Sequence, residues 1–366
     1  MEAEFAIIGG GIVGLSLAYG LLKRGKSVCI WDEGDSAFRA SRGNFGLVWV
    51  QSKGLHQPAY AQWTRASARA YRSFADEIET VSGLPLNLQQ DGGYIIHMSE
   101  DSLDADRKLY DGLRNRLGGD YPFEVMGHNA LKTEEPNIGP KVAGALYCRE
   151  DGHVNPLRLL RGLTIAVRQL GGTVRTGHRV TDIQPQSAGF TITDQNNTTM
   201  VAEKVVLAAG LGAMTLGPQL GFTAPIRPQQ GQIIITEKLP KLMNRPNVEV
   251  RQVDEGGIQI GASSAEVGLN DREDVATVAG LAAHAVDMFP KLAHARMLRS
   301  WAALRIMSPD GLPIYQRSVQ HPGAFFVTCH SGITLAAAHA GVLGDWLTDS
   351  AEQPDLTAFG EDRFDV

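Results

Sequence analysis

Three glycines and an acid carry the first chemical signal. In Ile7-Ile8-Gly9-Gly10-Gly11-Ile12-Val13-Gly14 the spacing is G-x-G-x-x-G, and an apolar helix length later comes Val28-Cys29-Ile30-Trp31-Asp32. Gly9 suits a tight turn, Gly11 lets backbone approach a pyrophosphate, and Gly14 lets a helix pack close to a strand. The free N–H groups at the start of such a helix attract phosphate. Asp32 stands where a carboxylate binds an adenosine ribose. Together they predict dinucleotide binding; the plain alternative is a glycine turn in an ordinary βαβ unit.

A second signal is a cation in apolar surroundings. Arg305 lies between Ala302-Ala303-Leu304 and Ile306-Met307, where an unpaired charge is costly. Its partner is either an internal acid or a ligand carboxylate, whose two oxygens match the planar guanidinium fork. His330 follows an apolar strand and is a candidate base for a substrate proton; a structural role fits that position equally. His97 and His153 are weaker candidates.

These residues need elements to hold them. Asn155-Pro156-Leu157 starts a helical pattern that Gly171-Gly172 stops, followed by strands at Thr173-Val174-Arg175 and near Arg179 to Ile183. An alternating Phe190-Thr191-Ile192-Thr193 hairpin leads to Lys204-Val205-Val206-Leu207-Ala208-Ala209-Gly210, which reads as a buried parallel strand facing a ligand at its carboxyl end. Gly323 to Thr328 is another buried strand, and Gly332 to Leu347 a small-residue helix. Gly92 to His97, Pro228 to Ile235 and Val248 to Val253 are strand-like. Asp254-Glu255-Gly256-Gly257 turns the last of these back into Ile258-Gln259-Ile260.

The expected fold is therefore α/β, α+β overall: a discontinuous Rossmann-like nucleotide domain with an inserted antiparallel-sheet substrate domain. The first is assigned residues 1–85, 140–222 and 303–366, the second 86–139 and 223–302. A chain of 366 residues holds two such domains.

The net charge of −6 gives no basic footprint for nucleic acid or anionic lipid. There is no apolar run long enough to span a membrane, and the glycine-broken start beside acids is unlike a secretory signal. Three scattered cysteines without a C-x-x-C pattern indicate neither a disulfide framework nor a metal site. A cytoplasmic setting is the expectation.

At this point the chain resembles the family of D-amino-acid oxidase, glycine oxidase and sarcosine oxidase along essentially its whole length. Gly9 to Gly14 with Asp32 is similar to that family's FAD fingerprint, and Ala40-Ser41-Arg42-Gly43-Asn44-Phe45-Gly46-Leu47 to its loop past the pyrophosphate and flavin. Gly152-His153-Val154-Asn155-Pro156 resembles the segment before the middle helix, and Arg179-Val180 the strand that meets the adenine. Trp301-Ala302-Ala303-Leu304-Arg305, with Ser308-Pro309-Asp310-Gly311-Leu312-Pro313, is similar to the late W-A-G-L-R-P…D-G-x-P signature. His330-Ser331-Gly332-Ile333-Thr334 resembles the last flavin-contacting turn. Within the family the chain looks most similar to the catalytic beta chains of opine oxidases, with hydrogen cyanide synthase and hydroxyproline dehydrogenase components among their relatives.

The resemblance implies noncovalent FAD, because no cysteine stands near Arg305 in sequence, where the sarcosine oxidase branch attaches its flavin. It implies a cofactor set of Gly9, Gly11, Ile12, Val13, Gly14, Asp32, Glu33, Ser41, Arg42, Asn44, Gly46, Leu47, Val180, Ala209, Gly210, Gly332, Ile333 and Thr334. A helix start at Gly332 suits the negative charge of a reduced flavin. Arg305 then holds a substrate carboxylate. The aromatic hydroxyl that assists it in the D-amino-acid oxidase branch has no tyrosine counterpart in Val250-Arg251-Gln252. Arg251 is the expected second cationic contact, favouring a dicarboxylate or opine-like amine; an exposed surface role is its alternative.

The expected reaction is oxidation of the C–N bond of an amino acid, imino acid or opine-like amine by hydride transfer to flavin N5, giving an imine that hydrolyses. A 2-hydroxy-acid dehydrogenase, or a flavin-carrying subunit that acts only in a hetero-oligomer, are the alternatives. A larger redox subunit is an expected partner. The Ser41 to Gly46 loop holds no lysine, which predicts slow reaction with oxygen.

Overall fold

The computed structural model describes residues 3–34, 40–261 and 263–364. Its central sheet has five parallel strands in the spatial order Thr173–Thr176, Val28–Asp32, Ala3–Ile8, Thr199–Leu207 and Ala324–Thr328. Ile314–Arg317 adds an antiparallel edge. The hairpin Val180–Gln186 and Gly189–Asp194 pairs with the first half of the long strand Thr199–Leu207.

Strand Ala3–Ile8 is apolar at every position but Glu4 because both its faces are covered. Phe5 and Ile7 join a core with helices Ile12–Lys23, Pro58–Ser82 and Pro156–Gln169. Ala6 and Ile8 join a second core under the hairpin, with Trp31, Ile183, Phe190 and Leu207. Helix Pro156–Gln169 starts as its sequence predicts: the Asn155 side chain accepts the Arg158 N–H, and Pro156 occupies the first turn. Because the strands are parallel, their carboxyl ends gather on one side of the sheet, where a ligand crevice forms.

Beyond that edge lies an antiparallel sheet in the order Val250–Gln252, Gly257–Ile260, Arg227–Lys238, Met297–Met307. Helix Val275–Met288 covers it over a third apolar core. Gly93–His97 is not a strand of this sheet. It pairs with Gly144–Cys148, which pairs in turn with Glu124–Gly127. The two sheets share the third core, where Tyr94, Ile96 and Ala145 pack with Ile234, Val250 and Ile258, and Tyr94 N–H bonds to Pro246 O at 3.0 Å just before Val250–Gln252. The expected boundary at 139/140 thus divides strands of one sheet, and that at 302/303 falls inside Met297–Met307.

The expected helix over 332–347 is also interrupted. Residues 332–335 form turns, a helix runs over Ala336–Ala340, and a second over Val342–Leu347 after a break at Gly341. Among the described residues no helix is long and apolar enough to cross a membrane.

Candidate active site

A cavity of about 440 Å³ opens between the carboxyl edge of the parallel sheet and the antiparallel sheet. One end begins at Ile12, Val13 and Ser41, beside the glycine turn; the other is walled by Arg305, His330 and Lys53. Phe45, Leu47, Trp49, Ile233 and Ile306 supply apolar surface, and Gly332, Ile333 and Thr334 form a shared wall.

The glycine turn is built by steric exclusion. A Cβ on Gly9, whose φ is +110°, would lie 2.4 Å from Ala208 O, and one on Gly14 2.0 Å from Gly9 O. A Cβ on Gly11 would lie 2.9 Å from the Ser41 hydroxyl. That hydroxyl accepts the Ile12 N–H at 3.0 Å and so ties the 40–47 loop to the helix start. The Asp32 carboxylate accepts the N–H groups of Gly10 at 2.7 Å and Gly34 at 2.9 Å, locking the turn to the end of its strand. Glu33 follows at that strand end, half-buried. Ala209 and Gly210 lie beside the turn, since a Gly9 Cβ would also meet Ala209 Cα.

In the loop, Asn44 lines the cavity and its side chain accepts the Gly46 N–H at 2.7 Å. Gly46 has φ +90° and no room for a Cβ, which would sit 2.5 Å from Val154 O. Thr334 accepts the Trp49 N–H at 3.0 Å and donates to Leu47 O at 3.2 Å. This single hydroxyl joins two walls. Arg42 is exposed and outside the cavity, and Val180 is buried in the hairpin core away from it.

Arg305 rises from strand Met297–Met307 opposite Gln229. Its guanidinium makes two long contacts, to Gln229 Oε1 and Gln230 O, both 3.4 Å, and no ion pair among the described residues. The internal-acid alternative is therefore not what the fold provides. A Cβ on Gly231 would sit 2.5 Å from the guanidinium, so a glycine on the neighbouring strand makes its space. Burial lowers the pKa of Arg305.

His330 lies on the same wall, its pKa lowered to about 3 by burial and by the cations Lys53 and Arg305. It is a neutral imidazole, too weak a base to hold a proton near neutral pH. Cys329 also reaches the cavity wall rather than packing only in the core, and burial pushes its thiol up to about 12.

Arg251 departs from both of its sequence readings. It is buried, 3% exposed, but is not a wall of the cavity. Its Nε donates to Gln259 Oε1 at 2.8 Å, Nη1 meets His153 Nδ1 at 2.9 Å and Val154 O at 3.3 Å, and the guanidinium lies over the Phe45 ring. It braces the 45–46 loop from behind. His153 is held neutral there, its pKa lowered to about 3 by burial and by Arg251. His97 lies outside the cavity, near Ser102 and Asp106.

The cation on the wall that sequence reasoning missed is Lys53. In Ser52-Lys53-Gly54 it reads as a surface turn, and no residue type nearby marks it. The turn faces inward because a buried acid anchors it. Asp151, fully buried, accepts the N–H of Val50 at 2.5 Å and of Gln51 at 3.4 Å, and the Gln51 side-chain amide at 2.8 Å. Burial raises Asp151 to about 7, against the pull of those bonds. Lys53 itself is lowered to about 8, chiefly by burial.

The donor set fits FAD: a cradle with no room for side chains at the pyrophosphate end, then an apolar slot walled by backbone turns. Residues 4–346 match the family described as "DAO: FAD dependent oxidoreductase". An opine oxidase subunit from Agrobacterium tumefaciens is 40% identical over 366 residues, covering 99% of this chain and 98% of that protein. Its counterpart of the same name from Rhizobium meliloti is 39% identical, covering 100% and 98%. The crystal structure of glycine oxidase from Geobacillus kaustophilus superposes with a TM-score of 0.90 at 24% identity, covering 99% of this chain and 98% of that one. The whole-length match and the glycine turn opening into a cationic slot lead to one assignment: this chain belongs to the DAO family of FAD-dependent oxidoreductases.

Proposed function

We propose that this protein oxidises the C–N bond of an amino acid, imino acid or opine-like secondary amine. The observation that carries this reading is Arg305: a half-buried guanidinium on the cavity wall, without an acid partner among the described residues, next to the turn expected to face the flavin. Bound FAD supplies the hydride acceptor, and the resulting imine is hydrolysed by water.

The chain's own residues do the rest. Arg305 clamps the substrate carboxylate through its fork, with Gln229 and the Gln230 carbonyl setting its orientation. Among the described residues no aspartate or glutamate lines the wall to hold a protonated amine, so the substrate amine reacts from its neutral, oxidisable form. No protein base is then required, and neutral His330 shapes the slot. Phe45, Ile233 and Ile306 exclude water. The adenosine end falls to Asp32 and Glu33, the pyrophosphate to the helix start at Ile12 and Val13, with the Ser41 hydroxyl that holds the Ile12 N–H beside it. Gly332 to Thr334 meet the flavin with turn backbone, in place of the helix start expected there. FAD is held noncovalently, since no cysteine stands near Arg305 in sequence, where the sarcosine oxidase branch attaches its flavin.

The division into a flavin region and a substrate region follows the two sheet systems, with Gly144–Cys148 on the substrate side. A further chain, acting beside this one, is part of the proposal because two relatives are named as subunits of opine oxidases. A reducing compartment accords with Cys29, Cys148 and Cys329, none in a disulfide.

The test is anaerobic mixing of the purified yellow protein with opines, D- and L-amino acids and 2-hydroxy acids. Bleaching of the flavin band by amines supports the proposal. Bleaching by 2-hydroxy acids alone overturns it.

A further inference from the structure

The slot carries more positive charge than one carboxylate needs. Among the described residues its wall has two cations, Lys53 and Arg305, and not one aspartate or glutamate. Lys53 makes no ion pair or side-chain hydrogen bond among the described residues. The buried acid whose charge acts on Lys53, Asp151, is not on the wall and accepts from Val50 and Gln51.

Nor is Lys53 a surface side chain that strayed inward. Its turn is fixed on both sides: Lys53 N–H bonds to Val50 O at 3.2 Å, and Ser52, at φ +62°, donates its N–H to the Tyr110 hydroxyl at 2.6 Å. A Cβ on Gly54 would lie 2.3 Å from Ala61 N, so the turn is pressed against helix Pro58–Ser82. A half-buried ammonium held on the cavity wall this way, without an ion pair of its own, is placed to take an anionic ligand. Lys53, Arg305 and His330 line one cavity, so a single ligand in it meets both cations.

We propose that Lys53 is a second carboxylate anchor and that the substrate is a dicarboxylic secondary amine, with one acid on Arg305 and the other on Lys53. This assignment rests on the amine-oxidation reading for its reaction but not for its binding geometry. It also moves the expected second cationic contact from Arg251, which is occupied by Gln259, His153 and Val154, to Lys53.

Binding without turnover separates the two claims. Glutarate and butyrate are titrated into the FAD-loaded protein and followed by the change in the flavin spectrum. Glutarate is expected to bind at least tenfold tighter than butyrate. Lys53→Met should weaken glutarate about 10- to 100-fold, the range of one charge-assisted contact, with a much smaller effect on butyrate; Lys53→Arg should recover part of the difference. Equal weakening of both acids would assign Lys53 to general charge balance at the flavin and overturn the proposal. No preference for glutarate in the unmodified protein would do the same, even if Lys53→Met failed to fold. If no amine bleaches the flavin while glutarate binding still depends on Lys53, the reaction reading fails and the anchor stands.

Discussion

Arg305 and Gly231 show how one side chain's role depends on a neighbour's absence of one. Arg305→Ala should leave flavin bound while kcat/KM falls by about two to four orders of magnitude, the loss of a buried charge pair at roughly 3–5 kcal/mol. Arg305→Lys should restore only part, because a point charge cannot reproduce the fork. Unchanged kinetics in both variants would sink the clamp. Gly231→Ala places a methyl 2.5 Å from the guanidinium, and the flexible arginine end moves away. Its expected signature is a raised KM with little change in Tm. At this scale the sequence was legible where a residue type conflicted with its surroundings, as for Arg305 among alanines and leucine. It was illegible where tertiary context reverses a side chain's usual environment. Lys53 looks like a surface turn until the buried Asp151 is known to hold that turn inward, and Arg251 looks like a ligand contact until Gln259 and His153 are seen to occupy it.

The elements were readable as far as local pattern determines them. The glycine turn, the capped helix Pro156–Gln169 and the doubly covered strand Ala3–Ile8 all follow from short-range spacing. Gly11→Val should displace the Ser41 hydroxyl, 2.9 Å from the added Cβ, and block the pyrophosphate path; a purified variant with a full flavin spectrum would refute that placement. The broken helix was not readable, because its cause lies more than 300 residues away. Arg24 donates to Gly20 O at 2.8 Å, Ala340 O at 3.2 Å and Gly341 O at 2.8 Å, and to Asp345 at 2.8 Å. It thereby captures the carbonyls at the break between Ala336–Ala340 and Val342–Leu347. Arg24→Met should leave those acceptors and Asp345 unpaired, costing roughly 2–4 kcal/mol. Calorimetry reads this as a fall in Tm, and an unchanged Tm would show that the break stands without Arg24.

At the scale of the whole molecule, buried ionisable groups of opposite sense set the pH dependence of stability. His153, His330 and His339 are each lowered to about 3 by burial, with cations adding to the shift at the first two. Their stabilisation is complete above the unfolded value of about 6.5 and is lost as pH falls toward 3. Asp151, raised to about 7, acts the other way: its contribution is present below the unfolded value of about 3.9 and is lost as pH rises through 7. His97, lowered, and Glu135, raised, oppose each other in the same manner. Near pH 5 the unfolded chain holds about three histidine protons that the native protein lacks, while the native protein holds the proton on Asp151 that the unfolded chain lacks. A net uptake of two protons corresponds to a loss of about 2.7 kcal/mol per pH unit, or roughly 3–4 °C in Tm for a chain of this size. Two variants test the balance from opposite sides. Asp151→Asn removes the opposing proton and should steepen the slope toward three protons, whereas His339→Gln should flatten it toward one. If Asp151→Asn left the slope unchanged near that pH, the carboxyl anchoring the Lys53 turn would have to be ionised there, and the lysine would have a buried anion behind it after all.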